Sequence, residues 1–278
     1  MSTIFCHELN KSFETKEAML LDLKKHESDI LAFKKANVYK SHEKGQFSPS
    51  KGLDVTKLDE SVKASFNMKE GYFYPVINTT NYMDSHGDVH FPNLWNKSLK
   101  DNEGGIYYVA DHNLGIKSVI AFPKDVRVFT KTVDWAFVGK NYEGSTQALI
   151  YEIPIDKIQL NEAKNVINER IDIQNSVRMQ YVKVFFAANS EHKDLTENRK
   201  LFFDYIDQIA NKEVAMEQGY FYVVTEAKVV KEGSMVLFGS NDATPIRIKT
   251  PEAEVITSEN IEPEKSTQSI YELISKNY

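Results

Sequence analysis

Three stretches of the 278-residue sequence combine residue types that could do chemistry. The first is His112, in Ala-Asp-His-Asn-Leu-Gly, where an apolar, aromatic strand gives way to a turn. A strand end holds a side chain in place while leaving it open to substrate, which a general base needs. The same pattern also fits a turn histidine bonded to Asp111. The second is Ser176, at the head of Ser-Val-Arg-Met-Gln-Tyr-Val-Lys-Val-Phe-Phe. Period-two alternation puts Ser176, Arg178 and Gln180 on one face. A serine hydroxyl attacks well only when a base takes its proton, and a nearby arginine can steady the developing oxyanion. A strand-edge serine beside a solvated arginine is the plain alternative. The third is Asp84-Ser-His86-Gly-Asp88-Val-His90, whose carboxylates and imidazoles resemble metal ligands. Gly87 and Pro92 favour a loop shaped by hydrogen bonds, and the His-Glu-x-x-His pattern is absent, so neither a metal nor a cofactor is expected.

Other candidates carry less. Cys6 and His7 are adjacent in sequence and so point apart on a helix. His7, His26, His42 and His192 lie in charged contexts typical of surface histidines. The sequence lacks a phosphate-binding loop, a dinucleotide fingerprint and a nucleophile elbow. Glu232-Gly-Ser234-Met-Val-Leu-Phe-Gly-Ser-Asn241 reads as a strand ending in a turn and says little by itself.

Around these residues the chain divides into three expected parts. Residues 1–66 form a helical, charged arm, with Met19, Leu20, Leu23, Ile30, Leu31 and Phe33 at near-helical spacing. A flexible link is expected near 41–52, and the lysines between Lys34 and Lys51 read as a solvated face. Residues 67–250 form the core. Strands are expected at 72–77, 105–110, 119–122, 126–132, 134–138, 148–154, 176–186, 220–230 and 235–238. Helices are expected at 94–99 and 161–170, with one long inserted helix at 195–218. Residues 251–278 read as a flexible tail, with six glutamates against two lysines. Many short strands with few helices predict an α+β fold: a mainly antiparallel β-barrel flanked by helices.

Composition narrows the function classes. Hydrophobic residues make up 41% and aromatics 12%, enough for a packed core. One cysteine excludes an internal disulfide and any multi-cysteine metal site. A formal charge of -6 argues against tight, nonspecific nucleic-acid binding. With no long apolar run and no signal-like start, the expectation is a soluble intracellular protein without a membrane partner.

Taken in order, the segments resemble the prohead (procapsid maturation) serine protease family of tailed bacteriophages. The resemblance covers about Tyr72 to Pro245. It rests on Asp84-Ser-His-Gly-Asp-Val before a short helix, Asp111-His112 at a strand end, the serine-led strand at Ser176, and Glu232-x-Ser234-x-Val before an Asn turn. It implies a fold similar to herpesvirus assembly proteases. It also implies an endopeptidase that cleaves scaffold and major capsid precursors during head maturation, inside the immature phage head in the host cytoplasm. Carried over, Ser176 is the nucleophile, His112 the general base and Glu232 the acid that orients it. Glu226 is the alternative acid, and Arg178 or backbone N–H groups would hold the oxyanion. A homodimer and trimming of the protein's own tail follow by analogy. The sequence departs from the family pattern where Val177-Arg178 replaces a small pair, and in the charged stretch from Ala187 to Gly219. The alternative reading is an inactive, protease-fold capsid or scaffold component.

Overall fold

The computed structural model describes residues 3–36, 68–102 and 104–248. The expected link at 41–52 and the acidic tail after Pro251 lie outside the described residues.

The chain opens with a hairpin, β1 (Ile4–Cys6) and β2 (Lys11–Phe13), not with the helix expected there. Alternation explains it: Cys6 and Phe13 are buried, with exposed neighbours. Two helices follow, α1 (Lys16–Lys25) and α2 (Glu27–Ala36). Thr15 caps α1 by accepting from the Ala18 N–H at 3.2 Å, Glu17 sits in the first turn and Lys24 and Lys25 in the last. Its apolar stripe, Met19, Leu20 and Leu23, is buried against the main core.

The rest is an α+β arrangement built on two larger sheets, neither closed into a barrel. One sheet centres on β10 (Tyr220–Val236), whose seventeen residues pair antiparallel with β9 (Gln174–Ala188) along one edge. On its other edge β10 pairs in parallel with β4 (Asp88–His90) and, further along, with β5 (Tyr107–Ala110), which pairs in turn with β6 (Val119–Ala121). The other sheet is antiparallel. It contains β3 (Tyr72–Thr79), β7 (Arg127–Asp134), β8 (Ser145–Pro154) and β11 (Ile246–Ile248), in the order β11-β3-β8-β7. Phe73, Ile77, Leu149, Tyr151 and Ile153 from this sheet join Tyr108, Val177, Met179 and Tyr222 from the β10 sheet in one buried cluster. The remaining helices are α3 (Asn96–Asp101), α4 (Asn161–Asn168), α5 (Thr196–Tyr205) and α6 (Lys212–Gln218).

Several expectations are corrected. The open sheets replace the expected barrel. The single helix at 195–218 is two helices separated by a 3-10 turn at Ile206–Gln208. Tertiary contacts win over the apolar stripe there: the Asn211 side chain takes both the N–H and the C=O of Met83, at 2.9 Å each. Residues 134–138 are not a strand. Trp135–Val138 is a 3-10 turn closed by Gly139 at φ 78, which lets Trp135, Phe137 and Val138 all face inward. The two strands expected at 220–230 and 235–238 are the one strand β10, bent by a bulge.

Candidate active site

Three neighbouring strands bring the predicted residues together. β5 ends at Ala110, and Asp111 and His112 follow with φ of 52° and 54°. The Asn113 N–H reaches the Ala110 carbonyl at 3.0 Å, so the pair forms the centre of a tight turn with both φ values positive. Left-handed backbone at two successive non-glycine residues costs on the order of 1–3 kcal/mol each and persists only where the surroundings impose it. Here they do. The Asp111 N–H donates to the Met235 carbonyl at 3.0 Å, which carries the β5–β10 ladder into the turn. The His112 N–H donates to Ser234 Oγ at 3.0 Å.

On β10 a bulge aims the acid. Register partners run Val229↔Met179 and then Gly233↔Val177, so Val230, Lys231 and Glu232 face the single residue Arg178. Lys231 takes φ 71 in this bulge. Glu232 follows, fully buried, and its Oε1 lies 2.8 Å from His112 Nδ1. Its Oε2 accepts the Ser234 hydroxyl at 2.7 Å. The buried Tyr151 side chain lies over Gly233, where an added Cβ would come within 2.8–2.9 Å of two ring carbons and the phenol oxygen. Only glycine fits there. Burial, with the Glu232 charge beside it, raises the Tyr151 phenol well above its ordinary range, so Tyr151 stays protonated.

These contacts set the imidazole. Ionised Glu232 can only accept, so the proton between it and His112 sits on Nδ1 and leaves Nε2 with its lone pair. Nε2 is buried and makes no hydrogen bond. That leaves an imidazole with a buried acceptor nitrogen unused, the tautomer a general base would need.

Ser176 enters from the third strand. It is the register partner of Ser234, so their side chains share a face and their Cα atoms are about 4.5–5.5 Å apart. The preceding residue is anchored firmly. Asn175 Nδ2 donates to the Thr244 carbonyl at 2.7 Å, and Asn175 Oδ1 accepts from Tyr108 OH at 2.6 Å. Ser176 is 6% exposed and does not hydrogen-bond to His112 Nε2. The cavity beside it, lined also by Asn78, Met179 and Asn241, measures about 10 Å³. That is room for one water at most, so a scissile bond can reach the hydroxyl only if this surface opens.

The other predicted residues separate. Arg178 is two residues along β9 from Ser176, opposite the bulge. Glu226, the alternative acid, lies six residues up β10 and is paired with Lys183 at 2.8 Å. Cys6 sits on a strand, away from these residues in the chain, and burial pushes its thiol up to about 11, so it is not a thiolate nucleophile.

The Asp84–His90 stretch divides into a loop and the strand β4. Asp84 Oδ1 accepts from the His86 and Asp88 N–H groups at 2.9 and 3.0 Å, which shapes the loop. Asp88 accepts from Lys34 at 2.7 Å and from Tyr181 OH at 2.8 Å. His90 Nε2 lies 3.0 Å from that phenol, and its Nδ1 lies 3.3 Å from Asn78 Nδ2. Lys34, expected on a solvated face, is therefore part of a buried ion pair. Among the described residues no group of three or more His, Cys, Asp or Glu converges on a point.

The sequence alone assigns no chemical role to Ser234 or Gly233. Their signal was local: Glu232 and Ser234 stand two apart in a strand, and so share a face. Compared with known proteins, the chain matches no family model, no curated protein and no solved structure.

Proposed function

We propose that the chain is a serine endopeptidase of the prohead protease type, with Ser176 as nucleophile, His112 as general base and Glu232 as orienting acid. One observation carries the reading: buried Glu232 holds His112 Nδ1 at 2.8 Å and leaves Nε2 unpaired, on a turn that β10 alone separates from the strand of Ser176. As Ser176 Oγ bonds to the scissile carbonyl carbon, its proton passes to His112 Nε2. That proton then goes to the leaving amine as the C–N bond breaks. Water, deprotonated by the same nitrogen, releases the acyl group. Glu232 keeps the tautomer and stabilises the imidazolium. Arg178, on Ser176's side of β9 by alternation, or nearby backbone N–H groups hold the oxyanion.

The reading extends to an assemblin-like core, to scaffold and major capsid precursors as substrates, to a homodimer and to the immature head as the place of action. A second reading has its own support. Because Ser176 does not hydrogen-bond to His112, a protease-fold capsid or scaffold component without activity fits the same coordinates.

Co-expression with scaffold and capsid precursors, wild type beside Ser176→Ala, separates the two by intact mass. Removing the nucleophile of such a triad lowers the rate by about 10⁶, so cleavage should vanish in the variant. Equal products in both would refute Ser176 as nucleophile. Intact precursors in both, once assembled, would favour the inactive component.

A further inference from the structure

We infer that Ser234 is a positioning residue that holds His112 and Glu232 in the pose of a general base and its partner; the inference rests on the protease reading above. Its hydroxyl can be oriented without seeing the hydrogen. Glu232 Oε2, 2.7 Å away, is acceptor-only when ionised, so Ser234 must donate to it. The oxygen lone pairs are then left for the His112 N–H at 3.0 Å. One hydroxyl thus ties the acid and the backbone of the base together. Both ties matter in this setting. Ser234 and Glu232 are fully buried, so no water can replace a lost donor. The His112 backbone is left-handed, and the bond from its own N–H is part of what keeps it there. With Oε2 taken by Ser234, Oε1 is the oxygen turned toward Nδ1, so the same hydroxyl aligns the acid with the base. Ser234 touches no reacting atom.

The test uses the full chain with Ser234→Ala and Ser234→Thr. It reads kcat/KM on a cleaved peptide against pH, and the ¹⁵N imidazole signals of His112, assigned by loss in His112→Gln. A serine-directed phosphonate counts active sites, so that a misfolded fraction is not mistaken for slow turnover. A buried carboxylate that loses one donor is a cost large enough to lower kcat/KM roughly 10- to 100-fold in the alanine variant. The acid limb of its profile should move to higher pH, because the carboxylate then attracts the imidazolium more strongly. His112 should keep its Nδ1 proton, since Glu232 still only accepts, but with that signal shifted as the bond to Oε1 changes, and threonine should recover most of the rate. Lower turnover with an unmoved profile and an unshifted Nδ1–H signal would mean a packing role only and overturn the inference. Unchanged turnover would do the same. If wild type neither cleaves nor labels at Ser176, the protease reading fails, while the ¹⁵N signals still decide Ser234: an Nδ1–H signal unshifted in the alanine variant overturns it.

Discussion

Glu232→Gln changes one oxygen to a nitrogen, and the network around it dictates the consequence. In one orientation the amide oxygen faces His112 and the NH₂ faces Ser234. The serine then accepts from both the amide and the His112 N–H, and its own proton points into a fully buried space. In the other orientation the oxygen takes the Ser234 proton and the NH₂ donates to His112 Nδ1. Nε2 then carries the imidazole proton and cannot act as a base, and that N–H is itself buried without an acceptor. Each orientation therefore leaves a buried donor unmet, the Ser234 hydroxyl in the first and Nε2–H in the second, at a cost of about 1–3 kcal/mol. Loss of the charge that stabilises the imidazolium adds about 1.5–3 kcal/mol in the transition state. Together these predict a fall in kcat of about 10 to 10⁴ with stability lowered by about 1–3 kcal/mol, in the direction of the acid-to-amide change in serine protease triads. Peptide cleavage normalised to phosphonate-labelled sites measures the fall, and urea unfolding checks the fold. A Glu232→Gln protein keeping more than about a tenth of the wild-type kcat would refute the role given to Glu232.

Gly233→Ala should destabilise by about 1–3 kcal/mol, because its Cβ would meet the buried Tyr151 ring at 2.8–2.9 Å; Tyr151→Leu in the same chain should restore part of the urea midpoint. Lys34→Met should cost about 3–5 kcal/mol, read from the same midpoint, since it strands Asp88, whose side chain is 2% exposed, without its ammonium. An unchanged midpoint would mean that the pair contributes nothing net. Glu152 gives the pH dependence. Burial works to raise its carboxyl, yet the bonds from Lys69 and Arg127 outweigh this and hold it below its ordinary 4.5. A carboxyl lowered on folding adds stability that is complete above about pH 4.5 and lost as pH falls through the lower folded value. Melting temperatures between pH 3 and 6 should therefore fall less steeply for Glu152→Gln than for wild type, and parallel curves would exclude the contribution.

Periodicity made the strands legible because one face of each is buried against a partner. The alternation of β9 and the turn after Ala110 could be read without coordinates, and both are where the sequence placed them. What failed depends on contacts distant in sequence. The break after Tyr205 follows from Asn211 binding the backbone of Met83, a partner 128 residues away. Lys34 looked solvated because its partner, Asp88, lies 54 residues on. Barrel closure is not legible in a sequence, since strand number and length do not say which edges pair. Glu232 stands out in the sequence only as part of an ordered motif. Its choice over Glu226 becomes physical once the bulge at Val230–Glu232 turns one carboxylate inward while the other meets Lys183.

Several strained features of this chain gather at one point, while other left-handed residues, Asn10, Asn81, Asn93 and Arg170, lie apart from it. Asp111 and His112 are left-handed in succession, Lys231 is left-handed in a bulge, Glu232 is a carboxylate with no solvent exposure, and His112 Nε2 is a buried nitrogen without a partner. Each raises the free energy of the folded state, and a core built for stability alone would replace the carboxylate and imidazole with apolar side chains of similar size. Instead all of them meet where β5, β9 and β10 run side by side, and the surrounding bonds from Ser234, Met235 and Asn175 hold them in place. Local rules broken together at one point, with supports on every side, are what a preorganised general base requires. A stability screen of this cluster offers a direct check on that argument. The double change Glu232→Leu with His112→Leu removes both unfavourable groups at once but leaves the buried Ser234 hydroxyl without its acceptor, so it should cost no more than that one donor, about 1–3 kcal/mol, while abolishing any cleavage. Destabilisation of the double variant beyond about 3 kcal/mol would mean the pair is there to hold the fold, and the catalytic reading would lose its main support.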